Sequence, residues 1–369
     1  MIEWILPVMV VGAALMPTKR KSDKRIIQEV FERTNTYIKN GDSILFPKLV
    51  GSEKNKYIYS LPIGLSSAFI ENIEQVIKEA LNKEIEWDFK NGFLNIRIFD
   101  DKIPDRWDLN QNLKINGWKV PIGKNHHGIL YHDFEKYPHL LIGGATRFGK
   151  TVFLKSLFSL LLANKKDHVD FYILDLKGGL EFSRYKCLEQ VKNVSSDLLE
   201  ACRALDIIVK DLKKREEFFK EKGMSNIVET KIEKRTFIIV DEAAELSPKL
   251  ASKEYRKYSE YCMNCLSHIA RIGGALGYRL IYATQYPTRD AVPGQIKMNM
   301  AARLAFKMPE NMGSRVILDE GGAENLDPIP GRAIYKLEKQ REIQTPYISD
   351  KLLGGIIKNE FGSEKTRKN

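Results

Sequence analysis

Residues 144–151 read Gly-Ala-Thr-Arg-Phe-Gly-Lys-Thr, which fits G-x-x-x-x-G-K-[ST]. In that pattern Gly144 and Gly149 let backbone N–H groups close around an anion, and Ala145, Thr146, Arg147 and Phe148 form the loop between them. Lys150 is placed to reach the β- and γ-phosphates of a nucleotide, and the Thr151 hydroxyl to ligate Mg²⁺. With glycine at about 7% of residues, chance gives such a match in roughly 1% of chains this long, so context must decide. "HLLIGG" supplies a strand before the loop and "TVFLKSLFSLLLA" a helix after it. The N-terminus of that helix adds partial positive charge. The segment therefore reads as a binding loop for ATP with Mg²⁺ rather than as a glycine-rich turn.

Hydrolysis needs more than a cradle. "TFIIVDEAAEL" is an apolar strand ending at Asp241 and Glu242. An acid at that strand end can hold the metal shell, and the next can act as a base on the attacking water. "RLIYATQ" ends a further strand at Thr284 and Gln285. A polar tip beside the phosphates, Gln285 here, can sense the γ-phosphate or orient water. The chain also inserts "FYILDLKGG" between the phosphate and acidic motifs. That insertion is expected to put a strand between the cradle strand and the Asp-Glu strand, the layout of RecA-like ATPases with a catalytic glutamate.

These residues need a rigid sheet behind them. From about residue 118, "HLLIGG", "FYILDL", "TFIIVDE", "RLIYATQ", "ARLAFKM" and "GRAIYKL" alternate with helical stretches. Continuous apolar strands of this kind predict an α/β fold, a mostly parallel sheet covered on both faces. The RecA-like P-loop domain is expected over 118–349. A small α+β domain is expected over 45–117. There, "YIYSLPIG" reads as a strand. "SSAFIENIEQVIKEALNK" puts Phe69, Ile70, Ile73, Val76, Ile77, Ala80 and Leu81 on one helical face. "EIEWDF" and "FLNIRIF" read as a hairpin across Asn91-Gly92. Residues 19–44 read as a basic linker with a helix, and 350–369 as a flexible tail.

The chain has 369 residues, is 43% hydrophobic and 29% charged, and carries a net charge of +11, which excludes a disordered chain and favours a polyanionic partner. Residues 4–16 carry no charge, and five Lys/Arg follow between 19 and 25. A secretory signal has its charge before the apolar run, not after it. Residues 1–18 therefore read as an N-terminal apolar helix. It would anchor the chain in the cell membrane with the remainder in the cytoplasm. Such a span is short, since 13 helical residues reach about 20 Å against roughly 30 Å of hydrocarbon. An interfacial or packing helix, and a cytoplasmic protein, is the alternative. The cysteines, Cys187, Cys202, Cys262 and Cys265, form no disulfide framework. Cys262 and Cys265 make one C-x-x-C, which without a second pair reads as helix-face residues rather than a zinc site.

Taken in order, "PHLLIGGATRFGKT", "ILDLKGGLEFSRY", "FIIVDEAAEL", "ARIGGALGYRLIYATQYPTRDAVPGQIKMNMAARLAF" and "SRVILDEGGAENL" resemble the FtsK/SpoIIIE family of DNA-pumping ATPases. The resemblance covers about 118–347, and "IPGRAIY" with the short length looks most like FtsK-like proteins of Gram-positive conjugative elements. It implies a hexameric homo-oligomer around DNA, with ATP between neighbouring subunits. By resemblance, Lys150 and Thr151 bind phosphate and Mg²⁺, Asp241 holds the metal shell, Glu242 is the catalytic base and Gln285 the sensor. Two loops would face the DNA, offering Tyr286, Thr288 and Arg289, then Asn311 and Arg315.

The chain departs from the family in three places. Tyr286 stands where many relatives have Arg. Gly274 stands where many carry a candidate arginine finger, leaving Arg271, one helical turn earlier, as substitute. Arg147 and Phe148 are larger than the residues relatives often carry. The 20 residues after 349 leave no room for the winged-helix reader of chromosome translocases.

The leading expectation is an ATP-driven, sequence-independent DNA translocase. Its role would be the membrane-tethered coupling motor of a conjugative or mobile element, working with a relaxase and transfer-channel proteins. A type VII-like protein-secretion motor is the second reading; those enzymes usually carry several motor domains. A nucleotide-binding assembly scaffold is the third.

Overall fold

The computed structural model describes residues 21–365 apart from 67–68, 71–72 and 111–112, and the chain divides into two compact units after Lys102. The apolar segment 1–18 lies outside the described residues. Among those described, no helix is long and apolar enough to cross a membrane.

The first unit sets helices α1 (Asp23–Arg33) and α2 (Glu74–Leu81) in one core with an antiparallel sheet. Its strands are β3 (Lys48–Glu53), β4 (Lys56–Ser60), β5 (Glu84–Lys90) and β6 (Phe93–Phe99), in the order β3-β4-β6-β5, beside a short hairpin of β1 (Ile38–Asn40) and β2 (Ser43–Leu45). The β5–β6 hairpin turns on Asn91 and Gly92, both left-handed, at φ 54° and 81°. On α2 Ile77 and Leu81 are buried, as are Ile73 at its N-cap and Ile70 before it, while Phe69, Val76 and Ala80 are exposed. The face is narrower than expected. The helix expected within 19–44 is α1, and it packs into this core. Ile27, Val30 and Phe31 of α1 are buried with Tyr59, Ile77 and Ile96, because three apolar residues on one face have a core to enter.

The second unit holds a ten-stranded sheet. Its strands are β8 (Lys119–Asn125), β9 (Gly128–Asp133), β10 (Leu140–Gly143), β11 (Val169–Leu174), β12 (Val191–Ser195), β13 (Arg235–Val240), β14 (Tyr278–Thr284), β15 (Ala302–Phe306), β16 (Arg332–Lys336) and β17 (Gln340–Gln344). They run β12-β11-β13-β14-β10-β15-β16-β17-β8-β9. The run from β12 to β15 is parallel; the remaining pairs are antiparallel. One expectation changes here. The strand between the cradle strand β10 and the acidic strand β13 is β14, carrying "RLIYAT"; "FYILDL" is β11, on the far side of β13. Order along the chain does not fix order across a sheet whose strands are joined by long crossovers.

Residues alternate between the two faces. Leu140 and Ile142 face the core beneath α3 (Lys150–Lys165), and Leu141 faces the core beneath α4 (Leu198–Glu221) and α5 (Arg256–His268). Helix α3 is buried almost all round, through Phe153, Leu154, Leu157, Phe158, Leu161 and Leu162. Truncating one such leucine to alanine costs about 2–5 kcal/mol. Two boundaries also move. Residues 103–117 belong to the second unit, where β7 (Trp107–Asp108) pairs with β18 (Pro346–Tyr347) and Ile103 and Leu109 are buried. Residues 350–365 are a helix, α8 (Asp350–Lys365), rather than a tail. The Ser349 Oγ accepts the Leu352 N–H at 3.2 Å and Leu353 and Ile356 enter the core that contains α3. Cys262 and Cys265 lie on α5, buried, with the Cys262 Sγ 2.9 Å from that of Cys202.

At the foot of the sheet, Glu135 accepts from Arg235 Nε at 2.9 Å and from the fully buried Arg279 at 3.2 Å. His139 Nδ1 accepts the Leu280 N–H at 2.9 Å, and His132 Nδ1 lies 2.8 Å from the Tyr335 hydroxyl. Burial pushes both histidines down to about 3, and the charge of Arg279 adds to the effect. The unfolded chain would protonate them near the usual histidine value. Between the two values the unfolded state binds more protons, so stability falls as pH drops. From pH 7 to pH 5 each histidine is expected to remove about 2 kcal/mol. Urea midpoints at the two pH values check this; equal midpoints would contradict it.

Candidate nucleotide-binding site

The loop 144–149 leaves β10 and enters α3 with Gly149 as its left-handed cap, φ 105°. Other strand ends hold it in place. Gly144 N–H donates to Thr284 O at 3.3 Å, Ala145 N–H to Lys307 O at 3.1 Å, and Gly331 N–H to Phe148 O at 2.9 Å. The backbone is too crowded for side chains at its glycines. A Cβ on Gly149 would sit 2.9 Å from Gly331 N, and one on Gly144 2.6 Å from the Phe306 Cβ. Phe148 is half-buried and packs against the core, so its bulk braces the loop. Arg147 takes a left-handed φ of 74° and stays exposed. The result is a cradle of the shape a phosphate chain requires.

Lys150 is 2% exposed and reaches the end of β13, donating to Asp241 Oδ1 at 3.0 Å and also to the Asp241 carbonyl. Glu242 is fully buried. Its Oε1 accepts from the Thr284 hydroxyl at 2.7 Å and from Gln285 N–H at 3.0 Å. Its Oε2 lies 3.1 Å from the same N–H and 3.2 Å from Lys177 Nζ. The displaced strand order explains this contact, because β14 between β10 and β13 carries Thr284 into the gap between the cradle and the acids. Thr284 Oγ1 in turn accepts the N–H of Tyr286 at 3.1 Å. The donor set suits Mg²⁺. Thr151 offers a hydroxyl on the first turn of α3, and Asp241 offers a carboxylate whose charge Lys150 already balances.

A cleft of about 480 Å³ opens onto this loop, lined by Thr146, Arg147, Lys150, Thr151 and Gln285. Its wall also includes Asp105 and Arg106, Val152 and Glu181, Pro330 and Gly331, and residues 344–347. The Arg106 guanidinium lies 4.0 Å over the Tyr347 ring, a flat cationic and aromatic surface on which a nucleobase can stack. Buried Arg332 fixes this wall, donating to Asp105 at 3.2 Å, Glu342 at 3.1 Å and Gln344 at 3.2 Å. Sequence reasoning missed Arg106 and Tyr347. They carry no motif, and they meet only because β7 pairs with β18. Lys177 stood in the Asp-x-Lys-Gly-Gly segment without a role.

Residues 116–236 match the FtsK/SpoIIIE family. A DNA translocase FtsK of Streptococcus pneumoniae is 27% identical over 354 residues, covering 88% of this chain and 45% of that protein. The FtsK of Chlorobaculum tepidum is 33% identical over 262 residues, covering 65% and 31%. The chain carries an FtsK/SpoIIIE domain over residues 116–236. It spans less than half the length of either FtsK. Among solved structures, the monomer form of the pCW3 conjugation coupling protein TcpA with ATPγS matches with TM-score 0.66 at 24% identity, covering 92% of this chain and 99% of that one. The cytoplasmic domain of the Thermomonospora curvata type VII secretion ATPase EccC matches with TM-score 0.56 at 22% identity, covering 71% and 32%. Both likenesses bear on the fold, that of a P-loop ATPase.

The loops that the FtsK/SpoIIIE resemblance assigned to DNA lie side by side. Arg289 and Arg315 line one cleft of about 550 Å³ with Lys297, Met312 and Asp319. Pro287 packs toward Gly313 on α7 (Asn311–Leu318), where a Cβ would lie 3.1 Å from the proline ring. Tyr286 is 62% exposed, and Thr288 is exposed. Asn311 is also exposed and donates to Glu324 at 2.5 Å. Arg271 is exposed on a π-helical turn, Ile269–Gly273, beside His268. A Cβ on Gly274 would meet the Pro138 ring at 2.6 Å, so an arginine has no place there without rearrangement.

Tyr347→Ala is expected to weaken ATP and ADP binding alike, by about tenfold, or ~1.4 kcal/mol. Titration with a fluorescent analogue of each nucleotide reads this. A loss confined to ATP would count against a base-stacking role.

Proposed function

We propose that the chain is an ATP-driven DNA translocase that works as a ring of identical subunits, the coupling motor for DNA transfer by a conjugative or mobile element. One observation carries the reading. Glu242, the proposed base, shares Thr284 with the loop that presents Tyr286 and Arg289, so two hydrogen bonds would join the hydrolytic part to the proposed DNA-binding part.

The cradle N–H groups and Lys150 hold the phosphates, Lys150 exchanging its bond to Asp241 for the β- and γ-oxygens. Thr151 and Asp241 would hold Mg²⁺, which supplies charge neutralisation at the γ-phosphate when bound. Glu242 takes the proton of the attacking water, and Gln285, which lines the cleft, orients that water. Arg289, Lys297 and Arg315 provide a grip on phosphates without sequence preference. Arg271 is the candidate finger toward a neighbour's nucleotide. The charge pattern of residues 1–25 supports a membrane tether at residues 1–18. A relaxase and channel proteins are the partners this role implies.

The test is ATP turnover with and without duplex DNA at two salt concentrations. Turnover should rise with DNA, the rise should shrink at high salt, and Glu242→Gln should abolish both levels. Arg315→Ala should reduce DNA-stimulated turnover several-fold more than basal turnover; equal loss would argue against a DNA-facing role. Indifference to DNA, with stimulation by a small secreted helical protein, would favour the protein-export reading instead.

A further inference from the structure

The carboxylate of Glu242 is fully enclosed. It does not line the nucleotide cleft, although Lys150 and Gln285 do. Its two oxygens already receive three donors, the Thr284 hydroxyl, the Gln285 N–H and the Lys177 ammonium. A general base must have an oxygen within hydrogen-bond reach of its water, and here both oxygens are engaged inside the protein and neither faces the cleft. The three donors differ in how readily they can leave. Thr284 is buried at the end of β14, and the Gln285 N–H is backbone. Lys177 is one-third exposed at the end of a long side chain.

The loop that carries Lys177 is itself firmly set. Asp175 accepts the N–H groups of Glu181 and Phe182, both at 2.9 Å, closing residues 175–182 into a compact turn. Gly178 and Gly179 take the left-handed backbone the turn requires, at φ 77° and 71°. A Cβ on Gly179 would fall 2.5 Å from Ser183 Oγ, so that position excludes larger residues unless Ser183 moves. Lys177 is thus presented toward Glu242 by a built turn.

We infer that Lys177 is a latch on the catalytic glutamate: its ammonium holds Glu242 Oε2 away from the attacking water until the loop after Thr284 is engaged. This rests on Glu242 being the base. Engagement acts through bonds already described. Tyr286 N–H is held by Thr284 Oγ1, and Thr284 holds Glu242, so a displacement of the 286–289 loop pulls on the carboxylate from the side opposite to its lysine partner. Lys177 is a positioning residue, with no part in the proton transfer. Removing it leaves Glu242 still oriented by Thr284 and Gln285 but free to turn one oxygen toward the cleft. The competent population then rises without DNA, and basal turnover rises by the inverse of the fraction formerly free, on the order of fivefold if that fraction is about a fifth.

The experiment compares the full-length wild type with Lys177→Gln, Lys177→Arg and Thr284→Val, measuring ATP turnover without and with saturating duplex DNA and the thermal midpoint of each. Lys177→Gln is expected to raise turnover without DNA about fivefold while the DNA-saturated rate stays near wild type, so that stimulation collapses. Lys177→Arg should restore the wild-type ratio, which a merely structural role would not demand. Thr284→Val should lower both rates, because it removes orientation rather than restraint. Turnover that falls or stays level without DNA in a folded Lys177→Gln protein would overturn the latch, leaving the motor reading intact. A Lys177→Gln chain whose midpoint drops with its activity, and is not rescued by arginine, would also overturn it. If wild type hydrolyses no ATP, the base assignment fails and the latch fails with it.

Discussion

Six parallel strands, β12 to β15, all end at the same edge of the sheet, and the chemistry of this protein follows from that constraint. A parallel strand brings its carboxyl end to the edge where its neighbours also end. Gly144, Asp175, Asp241, Thr284 and Lys307 are therefore neighbours in space although 163 positions separate the first from the last by number. Burial of both faces holds the edge in register. A one-residue slip of β14 would send Leu280 and Tyr282 to the face of Ile281 and Ala283, and would take Thr284 away from Glu242.

The two ends of the sheet use charge in opposite ways. At the foot, Glu135 is shared by two buried arginines and two neutral histidines stand nearby. At the top, Lys150 pairs with Asp241 and Lys177 with Glu242 at the strand ends behind the cradle. Replacing a buried pair by apolar residues often gains stability, so a pair kept beside a cleft is better understood through exchange than through rigidity.

Much of this was legible in the sequence, for local reasons. Glycine spacing, an acidic strand end and a helix start are decided within a dozen residues, so Gly144 to Thr151 and Asp241-Glu242 could be read directly. The Asn91-Gly92 turn was legible for the same reason. What escaped depended on pairing between distant segments. The neighbour of β10 could not be chosen from chain order, and Arg106 meets Tyr347 only through β7 and β18. The helix after Asp350 carries few apolar residues; Leu353 and Ile356 fold it down because a core is waiting for them. Phe148 packs its ring against the core beside α3, and Gly331, half a chain away, holds its carbonyl.

That last contact has a kinetic meaning. The shape of the cradle is set by the protein's own backbone bonds, to Thr284 and Lys307 and from Gly331. A receptor already in its bound form loses little conformational entropy when it is filled, and this applies to the spent diphosphate as much as to the fresh triphosphate. Capture is then easy, and letting go becomes the hard part of each turn. In the ring proposed for this chain, the force that empties one seat would have to come from next door.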